Sequence, residues 1–314
     1  VYASQVVETG GKRSLRAASA DASVSRSRAD RETLRWQLAA RIAAAYWTAA
    51  GAARYREAFA ESIRNFDLTV QYHRDRVGEG AMAEVDLLRV QLESERLRAA
   101  FRTAEQDAVT SRIRLFREMN VPDDPAATFT EVLEQLPAVE RLAMARPDLV
   151  SLQQGIEEAA ANVKLQRANA RPDPELMGGY KRTNGFDTLI AGVQINLPFR
   201  NRNEGNIAAA EAGVQAAAAS LRAAERAAQS DIEAAYTAYE TRRALVEKTL
   251  PAVREQAREI ARISGAAYRE GGTDLLRLLD AERARIDSDL LYVRALTEFH
   301  LSVVELQSAL GILR

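Results

Sequence analysis

The sequence predicts a mainly α chain that carries a small two-faced β element, and three observations predict it. Over residues 14–77 nothing stops a helix, because Gly51 is the only glycine and proline is absent. The stretch PELMGGYKRTNGFDTLIAGVQINLPF (174–199) alternates apolar and polar residues on both sides of Asn184-Gly185, the signal of a hairpin. Residues 18–24 (ASADASV) match 208–214 (AAAEAGV) at an offset of about 190, which also pairs Ile42 with Ile232 and Ala45-Tyr46 with Ala235-Tyr236.

The elements follow in chain order. VYASQVVETGG opens as a strand over residues 1–9. The helix of residues 14–77 measures about 95 Å at about 1.5 Å per residue, far beyond a globular helix, and needs lateral partners along its length. The glycine-bearing turn VGEGAMAEVD (77–86) reverses it into a second helix ending near Asn120, and four prolines make 121–149 a short-helix connector. One more helix runs from Pro147 to about Arg171. Strands follow at 174–183 and 188–198, with Leu176, Gly178 and Tyr180 on one face and Met177, Gly179 and Lys181 on the other. In the second of these strands Val193, Ile195 and Leu197 alternate with Gln194 and Asn196, and Pro198 ends the ladder. Residues 206–269 form the second long helix, interrupted by Gly213, Pro251 and Gly265; the turn REGGTD (269–274) leads into a last helix ending near Gly311.

The repeat divides the chain into a first unit at 1–121, a connector at 122–146 and a second unit at 147–314. Two registers compete near the turns: the DLLR at 86–89 and 274–277 gives offset 188, whereas Gly80 with Gly271 and MNV (119–121) with LGI (310–312) give 191. The second is preferred, since it preserves the distance from turn to helix end.

Composition narrows the function. The 314 residues are 47% apolar but only 6% aromatic, which suits small side chains between closely packed helices better than a thick core. Lys plus Arg (43) almost balances Asp plus Glu (44) and no basic stripe exists, so nucleic acid is excluded as a partner. Cysteine is absent, removing disulfides and thiolate metal sites. No apolar run reaches the ~18 residues of a spanning helix, but a membrane strand needs only about 9 to 11 alternating residues. Val1 in place of Met, a strand entered partway and the lack of a leader read as an amino-terminally truncated chain.

Catalytic chemistry finds no foothold. His73 and His300, the only histidines, lie on different helices and read as partly solvated residues. The turns at Gly78, Gly80, Gly271 and Gly272 lack the preceding strand and following Lys-Ser/Thr of a phosphate loop. Serines lack a nucleophile elbow, and carboxylates interleaved with arginine, as in AERARID (281–287), read as solvated pairs of little energetic weight. No enzyme, cofactor or metal is expected.

Several stretches resemble the TolC family of outer-membrane efflux proteins, the exit ducts of tripartite exporters: SQVVETGGKRSLRAASA, RPDLVSLQQGIEEAAANVKLQRANARPDPEL, VQINLPFRNRNEGNIAAAEA, YREGGTDLLRLLDAERAR and the closing SALGI. The resemblance covers the whole chain, and GGKR after the first strand is similar to the heavy-metal/cation-efflux branch. It implies a homotrimer in which each protomer gives four strands to a shared barrel in outer-membrane lipid and long helices to a periplasmic tunnel, in a Gram-negative cell. Three strands are counted here, so a first helix and first strand are expected to be missing. In such a barrel Val193, Ile195 and Leu197 face lipid, and Gln194 and Asn196 face the lumen.

The resemblance also assigns the turns. Residues 80–88, with Gly78 and Gly80 and then Asp86 and Leu87, and residues 271–281, beginning with Gly271, Gly272, Thr273 and Asp274, become tips that dock on a periplasmic adaptor. The adaptor in turn joins an inner-membrane pump of the RND type. The residue-level alternative is a turn that only reverses the chain. LLDA (278–281) places Asp280 in the acidic ring that closes the periplasmic end, with Arg277 where the family carries a second acid. An Arg277–Asp280 pair within one helix is the alternative there. Two other classes compete: a periplasmic adaptor, which needs β modules flanking its hairpin, and a structural coiled coil, which needs strict heptads.

Overall fold

The structure, a computed structural model, describes residues 1–131, 133–139, 146–196 and 201–313. It is mainly α with one short sheet: β1 (Tyr2–Val6), α1 (Lys12–Gly78), α2 (Glu84–Glu118), α3 (Pro147–Asn169), β2 (Pro174–Thr183), β3 (Phe186–Ile195), α4 (Glu204–Ala244), a π-helical turn (Leu245–Thr249), α5 (Leu250–Arg269) and α6 (Leu275–Leu310). The chain divides into two compact units, one of Val1–Arg35 with Ala145–Ser230 and one of Trp36–Met144 with Asp231–Arg314; α1 and α4 run from one into the other. No described helix is long and apolar enough to cross a membrane.

In the first unit the sheet has order β1-β2-β3, antiparallel throughout. Asn184 (φ 51°) and Gly185 (φ 86°) both take left-handed backbone, the two-residue turn whose twist matches the strands it joins. Thr183 and Phe186 therefore pair directly, and β3 starts at 186 instead of 188. β1 is shorter than the expected 1–9: Val7 still donates to the Pro174 carbonyl, but Thr9 gives its N–H to the Asp173 carboxylate. Side chains tie α3 to its neighbours, Arg26 to Glu158 at 2.9 Å, Ser151 to Asp30, and Arg167 to Glu211 at 2.6 Å.

The second unit is built around α6. Between Ser288 and Leu310 only Leu291, Arg294, Glu298 and Glu305 are exposed, a narrow stripe on an otherwise buried helix. Phe59, Phe66, Val90, Tyr239, Val246 and Leu250 bring α1, α2, α4, the π turn and α5 into the same core as Leu279, Leu296 and Phe299. Small residues allow the closest approach. A Cβ on Gly51 of α1 would lie 2.1 Å from Thr297 Oγ1 and 2.8 Å from Thr297 Cβ on α6.

Three expectations are corrected. The second long helix is not broken at Gly213 or Gly265, and at Pro251 it widens by one π turn in which Leu250 N–H donates to the Leu245 carbonyl. Pro251 has no N–H to offer and its ring would crowd the carbonyl four residues back, which the wider turn relieves. The connector carries turns but no helix among its described residues, because Pro122, Pro125 and Pro137 remove donors and push the preceding residues to extended backbone. It is pinned instead by polar tips of aromatic residues: Glu131 N–H donates to Tyr46 Oη, Val139 N–H to Tyr239 Oη, and Tyr239 Oη to the Pro137 carbonyl.

The two histidines are buried, not partly solvated. His73 contacts the Thr69 carbonyl (2.7 Å) through Nδ1 and Tyr268 Oη (3.0 Å) through Nε2, joining α1 to α5. His300 donates from Nε2 to the connector's Leu133 carbonyl (2.8 Å) and stacks on Trp47 at 3.7 Å, leaving Nδ1 as a buried acceptor without a partner among the described residues. Burial pushes the His300 imidazolium below its ordinary range.

Gly51→Ala should destabilise by about 1–3 kcal/mol despite alanine's better helix propensity, since α1 must move off Thr297. Gly213→Ala, with open space around it, should stabilise by about 0.5–1 kcal/mol, and thermal melting of both variants checks the contrast. Because folded His300 resists the proton that the unfolded chain takes up, its share of stability is full at neutral pH. It should decline as pH falls below about 6.5, and the decline should vanish in His300→Phe melting curves recorded from pH 7 to 5.

Candidate functional site

The sheet separates two chemistries. Leu176↔Val193, Tyr180↔Leu189 and Pro174↔Ile195 pair on one face, whereas Glu175↔Gln194 and Lys181↔Thr188 pair on the other, where Met177 and Ile190 also lie. Leu189 and Val193 on the apolar face are 86% and 62% exposed. Asn196 follows the last residue of β3, and Leu197 and Pro198 lie outside the described residues. The outer edges of β1 and β3 have no strand beside them among the described residues.

A polar joint turns strand into helix. Gly10 (φ 67°) and Gly11 (φ 71°) take left-handed backbone, so that Lys12 Nζ reaches the Arg171 carbonyl (2.7 Å) and Asp173 Oδ2 (2.6 Å). Asp173 also accepts from Thr9, and these donors hold its carboxyl below the usual carboxylate range, the Lys12 bond contributing most. A second joint precedes α4: Asn203 (φ 61°) donates from Nδ2 to the Gln166 carbonyl (2.8 Å).

The two tip candidates share one backbone device. Gly80 N–H donates to the Val77 carbonyl and Ala81 N–H to Arg76; Gly271 donates to Tyr268 and Gly272 to Ala267. This is the paired-bond cap that ends a helix in a left-handed residue, here with φ 71° and 76°. The same pattern closes α2 at Asn120 and α6 at Gly311. Capping residues 80 and 271, and 120 and 311, are each 191 positions apart.

Around these caps the candidates differ in setting. Gly78 ends α1 with open space beside it; Asp86 pairs with Arg89 at 3.6 Å and Leu87 is half-buried. Thr273 is half-buried, and Asp274 caps α6 by accepting the Arg277 N–H at 2.9 Å. Tyr268, half-buried and hydrogen-bonded to His73, also brings its hydroxyl within 3.7 Å of Met82 Sδ in the first turn.

Asp280 and Arg277 lie on the exposed face of α6, opposite Leu275, Leu278 and Leu279. The ion pairs there are Arg277 with Asp274 (4.0 Å) and Asp280 with Arg283 (3.5 Å). Arg283 makes a stronger contact that sequence reasoning missed: Nε and Nη2 donate to the two oxygens of Glu93 on α2 at 2.8 and 2.6 Å. AERARID thus departs from the expected solvated pairs, since its Arg285–Glu282 pair is also largely sheltered; just beyond it, Asp289 pairs with Arg254 and with the more exposed Arg258. Each long-range partner sits far along the chain, and only the one-sided burial of α6 hints at it. Among the described residues no group of His, Asp and Glu has metal-binding geometry.

An open two-faced sheet joined to very long helices is a fold this chain shares with solved outer-membrane channels. The outer-membrane channel OprN superposes with a TM-score of 0.82 at 22% identity, covering 99% of this chain and 74% of that one. CusC gives 0.84 at 16% identity over 99% and 76%, and the open-state MtrE channel of Neisseria gonorrhoeae gives 0.82 at 22% over 98% and 74%. The outer membrane protein OprJ of Pseudomonas aeruginosa is 25% identical over 177 residues, 53% of this chain and 37% of OprJ, so the match spans well under half of that relative.

Residues 138–312 match the outer membrane efflux protein family, and the chain belongs to it. It is accordingly a protein of the Gram-negative outer membrane, of the TolC type.

Gly271→Val places a β-branched residue in left-handed backbone and should cost about 1–3 kcal/mol, read as a lower melting temperature and faster proteolysis at the turn. Gly271→Asn should cost far less, as Asn120 fills the same cap position natively.

Proposed function

We propose that the chain is the duct subunit of a tripartite exporter, three copies of which enclose a passive pore. The sheet is the observation that carries this reading. Its apolar face is exposed and both its edges lack partners among the described residues. In hydrocarbon an unpaired strand edge costs several kcal/mol per group, so such a sheet is stable only when closed into a barrel, here by strands of further copies. Val193 and Ile195 then face lipid, and Gln194 and Asn196 face the lumen. The two sequence repeats, 1–121 and 147–314, belong to the same proposal, each supplying a tip. The helices line a periplasmic tunnel, and the tips around Gly78, Gly80, Asp86 and Leu87 and around Gly271, Gly272, Thr273 and Asp274 dock on an adaptor coupled to an RND-type pump.

No catalysis is required, because energy enters at the inner membrane. Asp280, exposed on α6, forms a ring of three carboxylates at the periplasmic constriction, which attracts cations and repels anions. Affiliation with cation-exporting members is part of this reading. The GGKR motif behind it serves here as a strand-to-helix joint, so cargo should follow the pump and not the duct.

Reconstituted in planar bilayers, the protein should give discrete, cation-preferring conductance, and Asp280→Asn should reduce that preference. Intact trimers that conduct nothing would sink the duct reading.

A further inference from the structure

We propose that Glu93 sets the charge of the constriction by holding Arg283 off Asp280; this rests on reading Asp280 as the pore-facing residue. Arg283 lies between two carboxylates and treats them unequally. Its Nε/Nη2 edge is bidentate on Glu93 of α2 at 2.8 and 2.6 Å, while only Nη1 approaches Asp280, at 3.5 Å.

Burial decides which carboxylate wins. The Glu93 side chain is 11% exposed and the Asp280 side chain 75% exposed. A bidentate, charge-assisted pair whose carboxylate is sheltered, although the Arg283 side chain is 43% exposed, outweighs an exposed single contact three residues apart on one helix. The Arg283 bond holds the Glu93 carboxyl below its ordinary range, so Glu93 stays ionised. Arg96, the more exposed cation beside Glu93 at 3.4 Å, reinforces that state.

Take the Glu93 charge away and the Arg283 guanidinium has lost its better partner. Asp280 is already within 3.5 Å on the same helix, one rotamer change from a full pair, and Asp287 is the other acid acting on Arg283. An Arg283–Asp280 pair carries no net charge, and three such pairs would erase the field that makes the mouth select cations. Glu93 never faces the pore in this arrangement; it determines selectivity by occupying a cation.

Reversal potentials across a KCl gradient, measured on the reconstituted protein, test this. Glu93→Gln should bring the cation-to-anion permeability ratio down toward one, Arg283→Gln should raise it above wild type, and the double variant should restore cation preference. A Glu93→Gln trimer with wild-type selectivity overturns the proposal. Should that variant not assemble, Arg283→Gln decides alone: a raised ratio supports the proposal and an unchanged one overturns it. Asp280→Asn separates the two levels. If it shifts the ratio while Glu93 and Arg283 variants do not, only the Glu93 proposal fails; if it leaves a conducting pore unchanged, the placement of Asp280 fails first.

Discussion

Leu296 and Phe299 have no surface left to give to solvent, and neither has Ser302 beside them. A helix enclosed to this degree needs an apolar or satisfied partner at every turn, and that requirement shapes the unit around α6. It brings Gly51 of α1 into a contact no Cβ could share and makes Asp289 a staple for Arg254 and Arg258 of α5. It also draws the connector in through His300 and Tyr239. Where the enclosure ends, toward the start of α6, the exposed face turns into the charged ladder of Asp274, Arg277, Asp280 and Arg283. The same helix is therefore a core at one end and an electrostatic surface at the other.

Much of this was legible because it is local. Helix spans follow from the absence of stops, the hairpin from Asn184-Gly185, and the caps from Gly80, Gly271 and Gly311, since positive φ selects glycine or asparagine within a few residues of the helix it ends. What stayed hidden is what depends on distant partners. Nothing near His73 announces Tyr268, 195 positions away, and nothing near Arg283 announces Glu93, 190 positions away. Lys12 belongs with these, because its partner Asp173, at the same end of the β1–β2 pair, lies 161 positions away. Among its described residues the connector forms no helix, because Pro122, Pro125 and Pro137 outweigh the helix-forming residues between them.

Polar contacts in the molecule divide by purpose. Those at the strand ends, Lys12 with Asp173 and Asn203 with Gln166, fix the angle at which extended chain becomes helix, and they use backbone carbonyls as much as charges. Those of α6 connect helices laterally, and their strength follows exposure more than distance. This is why a 3.5 Å contact at Asp280 and a 2.6 Å contact at Glu93, made by one guanidinium, have such different weight.

The π turn before Pro251 falls where the spacing between the two halves changes. Early in the two halves the matching residues are about 190 apart, as with Tyr46 and Tyr236, but the capping residues near the turns are 191 apart. Leu245–Thr249 lies between those two sets of landmarks, where one register gives way to the other. On the repeat reading, the second copy carries one residue more than the first between these landmarks. An extra residue in a regular helix rotates everything beyond it by about 100°, which would swing the face of α5 away from α6. Looping one residue into a wider turn keeps the phase, and the wider turn sits where Pro251 strains the backbone.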